Sequence, residues 1–406
     1  MNPTNDIRVN VMPGNSILFF TIMGLASYYT FVNSHTLFVH FPLRWLSEEI
    51  KYLSLFLSAL LLFVSISLYD SKKVLVIFSS AILALFVAWN SGWEFYGYVL
   101  WIYFVLIIGS RCIEFRKIIK FHLILNLCFC LINILADING WTDKTNIFLA
   151  DERVNMFDSG VITRWSAGYP ASTDFATQLL YILLDYWILL KGKMNLWMCS
   201  FILIAAYLSF FLCDARQALV CILLLFLFAI WVSYLINQDK KINKKLSTLF
   251  ALTIPFLFTV TLFATLSYDE TNPLWLIVDL AFSGRLSLGL DGIKEYGITW
   301  FGNNFFLVGA GYSGADLVYN YIDSTYIQFL LRWGIIVMTI FLLNVVKIGI
   351  DAFKRNDNTL LLSLFVAGMS SVTTQFLLDI NYCVLVLAVT ALHVDDIYKE
   401  RNIFKK

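Results

Sequence analysis

Twelve apolar stretches, each about 17 to 23 residues long, recur along this chain of 406 residues and constrain what it can fold into. They lie at 16–32, 50–69, 74–90, 95–110, 118–136, 174–190, 196–213, 217–235, 246–267, 325–346, 359–378 and 382–398. A run of this length crosses the hydrocarbon of a bilayer as an α-helix, which satisfies its backbone groups within the segment; an isolated strand would leave them unpaired in lipid. The short alternating segments of a membrane β-barrel are absent. The expectation is an all-α polytopic membrane protein, one integral domain over 1–406, with about 12 transmembrane helices. A composition of 59% hydrophobic and 14% charged residues leaves little room for a separate soluble domain. No small-residue cleavage site follows the first apolar run, so no cleavable signal peptide is expected.

Charge then sets orientation. Counting alternate connections places 20 of the 29 Lys and Arg residues on one side, which the positive-inside rule makes cytoplasmic, together with both termini. The other side holds 18 of the 28 acidic residues, and there the basic residues are mostly Arg: six Arg and three Lys, against five and fifteen inside. Arg offers a planar fork that donates two parallel hydrogen bonds to phosphate or carboxylate, so external Arg residues are candidates for gripping an anionic ligand. A net charge of +1 argues against nucleic acid as partner.

Two external connections are long, about 137–173 and 268–324, and long loops in compact proteins usually carry function. The second contains an amphipathic stretch over 283–296, read as a short interfacial helix capped by Ser283, then a Gly-rich run at Gly302, Gly309, Gly311 and Gly314. Arg216 closes Cys213-Asp214-Ala215-Arg216, the whole connection between two spans, where a lipid phosphate would sit; pairing with Asp214 is the bland alternative. Arg332 lies about seven residues inside its span, where a charge costs a few kcal/mol unless paired, hydrated or snorkelled to the headgroups. Arg44 and Arg153 have acidic neighbours and read as loop ion pairs.

Asp323 ends the long loop just before a helix and reads equally as an N-cap or as a base over the membrane surface; Asp174 reads as a cap, and Asp185 lies deeper in its span. His35, His40, His122 and His393 are scattered without ligand spacing and read as interfacial or loop residues. No Asp-x-Asp, P-loop or HExxH motif is present, and no metal or other cofactor is expected. The loop aromatics Trp141, Trp165, Tyr169, Trp300, Tyr312 and Tyr319 fit an interfacial belt or sugar stacking.

The layout resembles the Wzy-type O-antigen and capsular polysaccharide polymerases and, more distantly, the O-antigen ligases. The matching residues are Arg164-Trp165-Ser166-Ala167-Gly168-Tyr169-Pro170, the Arg216 turn, Ser283-Gly284-Arg285, Gly309-Ala310-Gly311, and Asp323-Ser324-Thr325-Tyr326 running to Trp333-Gly334-Ile335. The resemblance implies a metal-independent glycosyltransferase of the bacterial inner membrane, acting on its outer face and joining undecaprenyl-pyrophosphate-linked repeat units. Arg216 and Arg285 would hold the pyrophosphate and, with Asp323 as base, form the catalytic set; Arg164, Arg332, Tyr169 and Tyr326 would bind substrate. A flippase and a chain-length regulator would be its partners. Ligases of this type carry a His-Asn pair where this chain has Asp323-Ser324. A transporter or flippase of lipid-linked oligosaccharide is the main alternative, and a ligase the third.

Overall fold

The computed structural model describes residues 13–37, 44–67, 69–142, 152–154, 161–309 and 319–391. In these the chain is a helical assembly: α1 Pro13–Ser34, α2 Ser47–Ile66, α3 Ser71–Asn90, α4 Tyr96–Gly109, α5 Phe115–Ile138, α6 Ser172–Leu189 and α7 Leu196–Tyr207, which continues through a π turn, Leu208–Leu212. Then come α8 Arg216–Asn237, α9 Lys244–Ala251, α10 Thr253–Leu266, α11 Pro273–Ala281, α12 Arg285–Tyr296, α13 Thr325–Arg355 and α14 Asn358–Ser370. A short antiparallel pair, β1 Glu152–Val154 with β2 Val161–Thr163, lies in the first long connection.

Among the described residues six helices are long and apolar enough to cross a membrane: α1, the run from Arg44 through α2, α3, α5, α8 and α13. The number rises to eight if α9 with α10 and α11 with α12, bent by 47° and 102°, each count as one span. Of the twelve expected spans, the described helices support six to eight. The helices α4 and α14 reach only 14 and 13 residues. The apolar run expected to span 382–398 is not a long helix where it is described. Between α14 and residue 391 the chain makes only two 3₁₀ turns, Phe376–Leu378 and Leu385–Val389. Its side chains, including Phe376, Leu377, Tyr382, Val384 and Leu387, are buried against other helices. Hydropathy reports removal from water and does not distinguish a lipid-facing helix from protein core, so an apolar strap packed inside the helices scores like a span.

The outward faces are apolar as well. Phe63, Leu75, Leu203, Phe263 and Leu343 are each about two-thirds exposed or more. Large apolar side chains across the surface of a long-helix assembly are what bilayer lipid covers and water does not tolerate.

Two breaks shape the interior. Gly334 interrupts α13 with φ 77° and ψ 176°, and a Cβ there would stand 2.4 Å from the Gly302 nitrogen and 2.5 Å from the Trp300 carbonyl. The connection after α12 hydrogen-bonds into this gap: Ile335 N donates to Thr299 O, Ile336 N to Trp300 O, and Asn303 N to Leu331 O. The Arg332 carbonyl, released from the helix ladder, accepts from Ser91 Oγ at 2.6 Å. The second break, between α11 and α12, is closed by Asp279, whose Oδ1 accepts from Leu286 N and Ser287 N. Ser283, the expected cap, has φ 57° and Gly284 occupies the N-cap position without a side-chain bond, so the carboxylate of the preceding helix caps α12 instead.

Candidate functional site

A cavity of about 1670 Å³ opens among the helix ends, and its wall carries Arg44, Arg164, Arg216, Arg285 and Arg332. Five of the six Arg residues assigned to one side by charge counting thus meet at one place. Asp174, Asp214, Asp323, Asp379 and His35 share the wall. The connections that contribute are those after α1, α3, α5, α7, α11, α12 and α14, so sequence-distant turns are brought together by the way the helices pack.

The guanidinium groups of Arg285, Arg216 and Arg332 are each held differently. Arg285, at the first position of α12, donates from Nε to Thr373 O at 2.9 Å and from Nη1 to Phe282 O at 3.0 Å, while Nη2 lies 3.3 Å from Asp323 Oδ2. Three fixed contacts orient its fork before any ligand arrives. Arg216 opens α8 with its Nε 3.5 Å from Asp214 Oδ1 and more than half of its side chain exposed. Asp214 sits at φ 45°, which turns the short connection back toward the cavity.

Arg332 is 2% exposed and does not snorkel to a surface. Its guanidinium carbon lies 3.3 Å from the centroid of Tyr96 and 4.2 Å from that of Phe305, and Nη1 donates to Phe305 O at 2.9 Å. Among the described residues its buried Nε has no hydrogen-bond partner and no carboxylate pairs with it. Two aromatic faces and one carbonyl stabilise the charge.

The acidic residues lie close together. Ser324, not Asp323, takes the N-cap position of α13 and makes no side-chain cap bond, which leaves the Asp323 carboxylate turned to Arg285. Burial pushes the Asp323 carboxyl above its ordinary range, and Arg285 pulls the other way. Helix α6 begins at Ser172 with Ala171 as N-cap, and Asp174, a first-turn residue, turns its carboxylate back to the Ala171 backbone N–H, in keeping with a capping role. Its charge is felt together with those of His35, Asp323 and Asp379.

Two expected substrate contacts are placed elsewhere. Tyr326 is fully buried and donates its hydroxyl to Gly368 O at 2.8 Å, tying α13 to α14. Tyr169 is 1% exposed and packs at 5.7 Å against the ring of Phe175. Neither lines the cavity. Of the loop aromatics, Tyr319 does, while Trp165 donates to Asp137 Oδ2 and Trp300 faces outward. Gly311, Gly314, Tyr312, His40 and His393 lie outside the described residues.

The sequence reading passed over His35. Its Nε2 lies 2.7 Å from Asp379 Oδ2, and both residues line the cavity. The partners are 344 positions apart, and no local motif marks either one. The other described histidine, His122, pairs at 2.6 Å with Asp185 and contacts Ile380 O, linking α5, α6 and the C-terminal strap inside the protein.

Among the described residues no three His, Cys, Asp or Glu side chains are grouped as ligands for a metal ion. Comparison with protein families, curated proteins and solved structures finds no match to this chain.

Proposed function

We propose that this chain is a Wzy-type polysaccharide polymerase that joins undecaprenyl-pyrophosphate-linked repeat units on the outer face of a bacterial inner membrane. The observation that carries the reading is the convergence of Arg44, Arg164, Arg216, Arg285 and Arg332 on one cavity whose wall also holds carboxylates. In such a transfer the acceptor sugar hydroxyl attacks the anomeric carbon of the donor glycan. The bond from that carbon to the pyrophosphate oxygen breaks, and the pyrophosphate leaves with the electron pair. Arg285, fixed by Thr373 and Phe282, and Arg216, at the open side, are the groups for the developing charge. The cavity volume suits a pyrophosphate with several sugars. The contributing connections all belong to the side that charge counting makes external, which agrees with substrates presented there.

The test is replacement of Arg216 or Arg285 by Ala in cells that make the glycan. Loss of long chains with the protein retained in the membrane is expected; an unchanged chain-length distribution in both variants defeats the reading. A second reading, a carrier of the same lipid-linked glycan, draws on the interrupted helices at Gly334 and between α9 and α10, since broken helices line the central sites of many transporters. Purified protein in vesicles separates the two: lengthening of the glycan supports the polymerase, and transbilayer movement without lengthening supports the carrier.

A further inference from the structure

Resting on the polymerase reading, we propose that His35 is the catalytic base that takes the proton of the acceptor hydroxyl, and that Asp379 is its positioning residue.

Asp323, the carboxylate expected in that role, is paired with Arg285, and that ion pair would have to open before the carboxylate could meet an acceptor hydroxyl. His35 has the opposite arrangement. With Nε2–H donating to Asp379 Oδ2, 2.7 Å away, Nδ1 is the ring nitrogen left to accept a proton. Asp379 is itself set, its Oδ1 accepting from Asn381 N at 2.9 Å. The ring of His35 stands edge-on to Tyr382 at 5.1 Å and to Phe376 at 6.1 Å, and those two rings stack on each other at 3.8 Å. Its backbone is fixed from α5, where Asn133 Nδ2 donates to His35 O at 2.8 Å. An imidazole clamped by a carboxylate, an aromatic pair and a backbone hydrogen bond, on the wall of a cavity, is a side chain prepared for one proton transfer. A structural tie between the end of α1 and the C-terminal strap needs the Nε2 bond and no more.

The step balances. The acceptor oxygen forms its bond to the anomeric carbon, its proton passes to His35 Nδ1, and the bond from that carbon to the pyrophosphate oxygen breaks with the electron pair on the departing diphosphate. The imidazolium that results is stabilised by Asp379, as an oriented carboxylate stabilises the histidine of a nucleophile–base–acid triad. The charged groups facing His35 are Asp379 and, from α6, Asp174; the phenol of Tyr382 is the other titratable neighbour.

The experiment uses the full chain in lipid nanodiscs and the lipid-linked repeat unit extracted from source cells that lack this protein. Undecaprenyl pyrophosphate without sugar serves as the binding probe. Wild type, H35A, H35Q, D379N and R285A are compared, with folding checked by size-exclusion profile. His35→Gln keeps an amide that can donate to Asp379 but has no basic nitrogen. Elongation is expected to fall at least about 100-fold in H35A and H35Q, the range lost with a general base, while both bind the probe within about threefold of wild type. D379N is expected to lower kcat about tenfold with KM unchanged, because the ring loses the partner that orients it while substrate binding is untouched. Elongation by H35Q at the wild-type rate overturns the inference, since a structural tie alone would be preserved. Failure of wild type both to elongate and to bind the probe overturns the polymerase reading and the inference with it. Loss in R285A with full activity in H35Q overturns the inference and leaves the polymerase reading standing.

Discussion

The guanidinium of Arg332 lies against the face of Tyr96, 3.3 Å from ring centroid to cation, within the apolar stretch 329–337 of its helix. Phe305 closes the other side at 4.2 Å, and Arg332 forms part of the cavity wall. A charge that would be costly in lipid is thereby kept beside a pocket whose proposed ligand is an anion.

Arg332→Lys tests that arrangement. An ammonium cannot stack in the plane-parallel manner of a guanidinium, and a desolvated cation–π pair contributes about 2 kcal/mol. The variant is expected to unfold at lower temperature in detergent, by about 1 to 2 kcal/mol, and to lose polymer formation. Wild-type melting and activity would show that charge alone suffices at this position.

Asp323 gives a prediction in pH. Its carboxyl titrates above the ordinary 3.8 in the folded protein because burial outweighs Arg285. The native state therefore holds this proton more tightly than the unfolded chain, and stability drawn from the group is present at low pH and lost as pH rises through the folded value. Asp323→Asn removes the titration. The melting temperature of wild type relative to D323N is expected to fall as pH is raised from 4 to 8; parallel curves would contradict the burial argument.

Gly334→Ala is expected to disrupt the fold. The residue needs a positive φ, and its Cβ would meet backbone atoms of Trp300 and Gly302 at about 2.5 Å or closer, neither of which is a flexible side-chain end. The combined strain and collision amount to several kcal/mol. Thermal melting and size-exclusion profile report it, and a variant that folds with wild-type stability would show that the connection after α12 moves freely from α13.

Tyr326→Phe separates packing from binding. It removes one hydrogen bond to Gly368 O from a fully buried site and should cost about 1 kcal/mol of stability. Affinity for undecaprenyl pyrophosphate, measured by fluorescence titration, is expected to stay within about twofold, because the hydroxyl does not reach the cavity. A tenfold loss of affinity would restore Tyr326 to the binding set.

Much of this was legible from residue order. Local composition fixes that α1, α2, α3, α5 and α8 are long apolar helices, because hydrophobic length is a property of a segment alone. The excess of Arg over Lys in alternate connections pointed to Arg164, Arg216, Arg285 and Arg332, and these share one cavity. The same local signal misled over the C-terminal run, since residues 376–388 are apolar for the sake of the interior and not of lipid. Tyr169 and Tyr326 stood next to conspicuous motif residues but point into packing, because neighbours along a helix or turn face different directions.

What the chain determines by itself is therefore its helical, apolar character and which connections carry guanidinium groups: both follow from short-range pattern and charge. Only the tertiary structure decided that those connections surround a single cavity, that Asp279 and not Ser283 caps α12, and that His35 meets Asp379. Such pairings depend on which helices pack side by side, and that is set by the fit of whole surfaces and by breaks such as Gly334, which no single segment encodes.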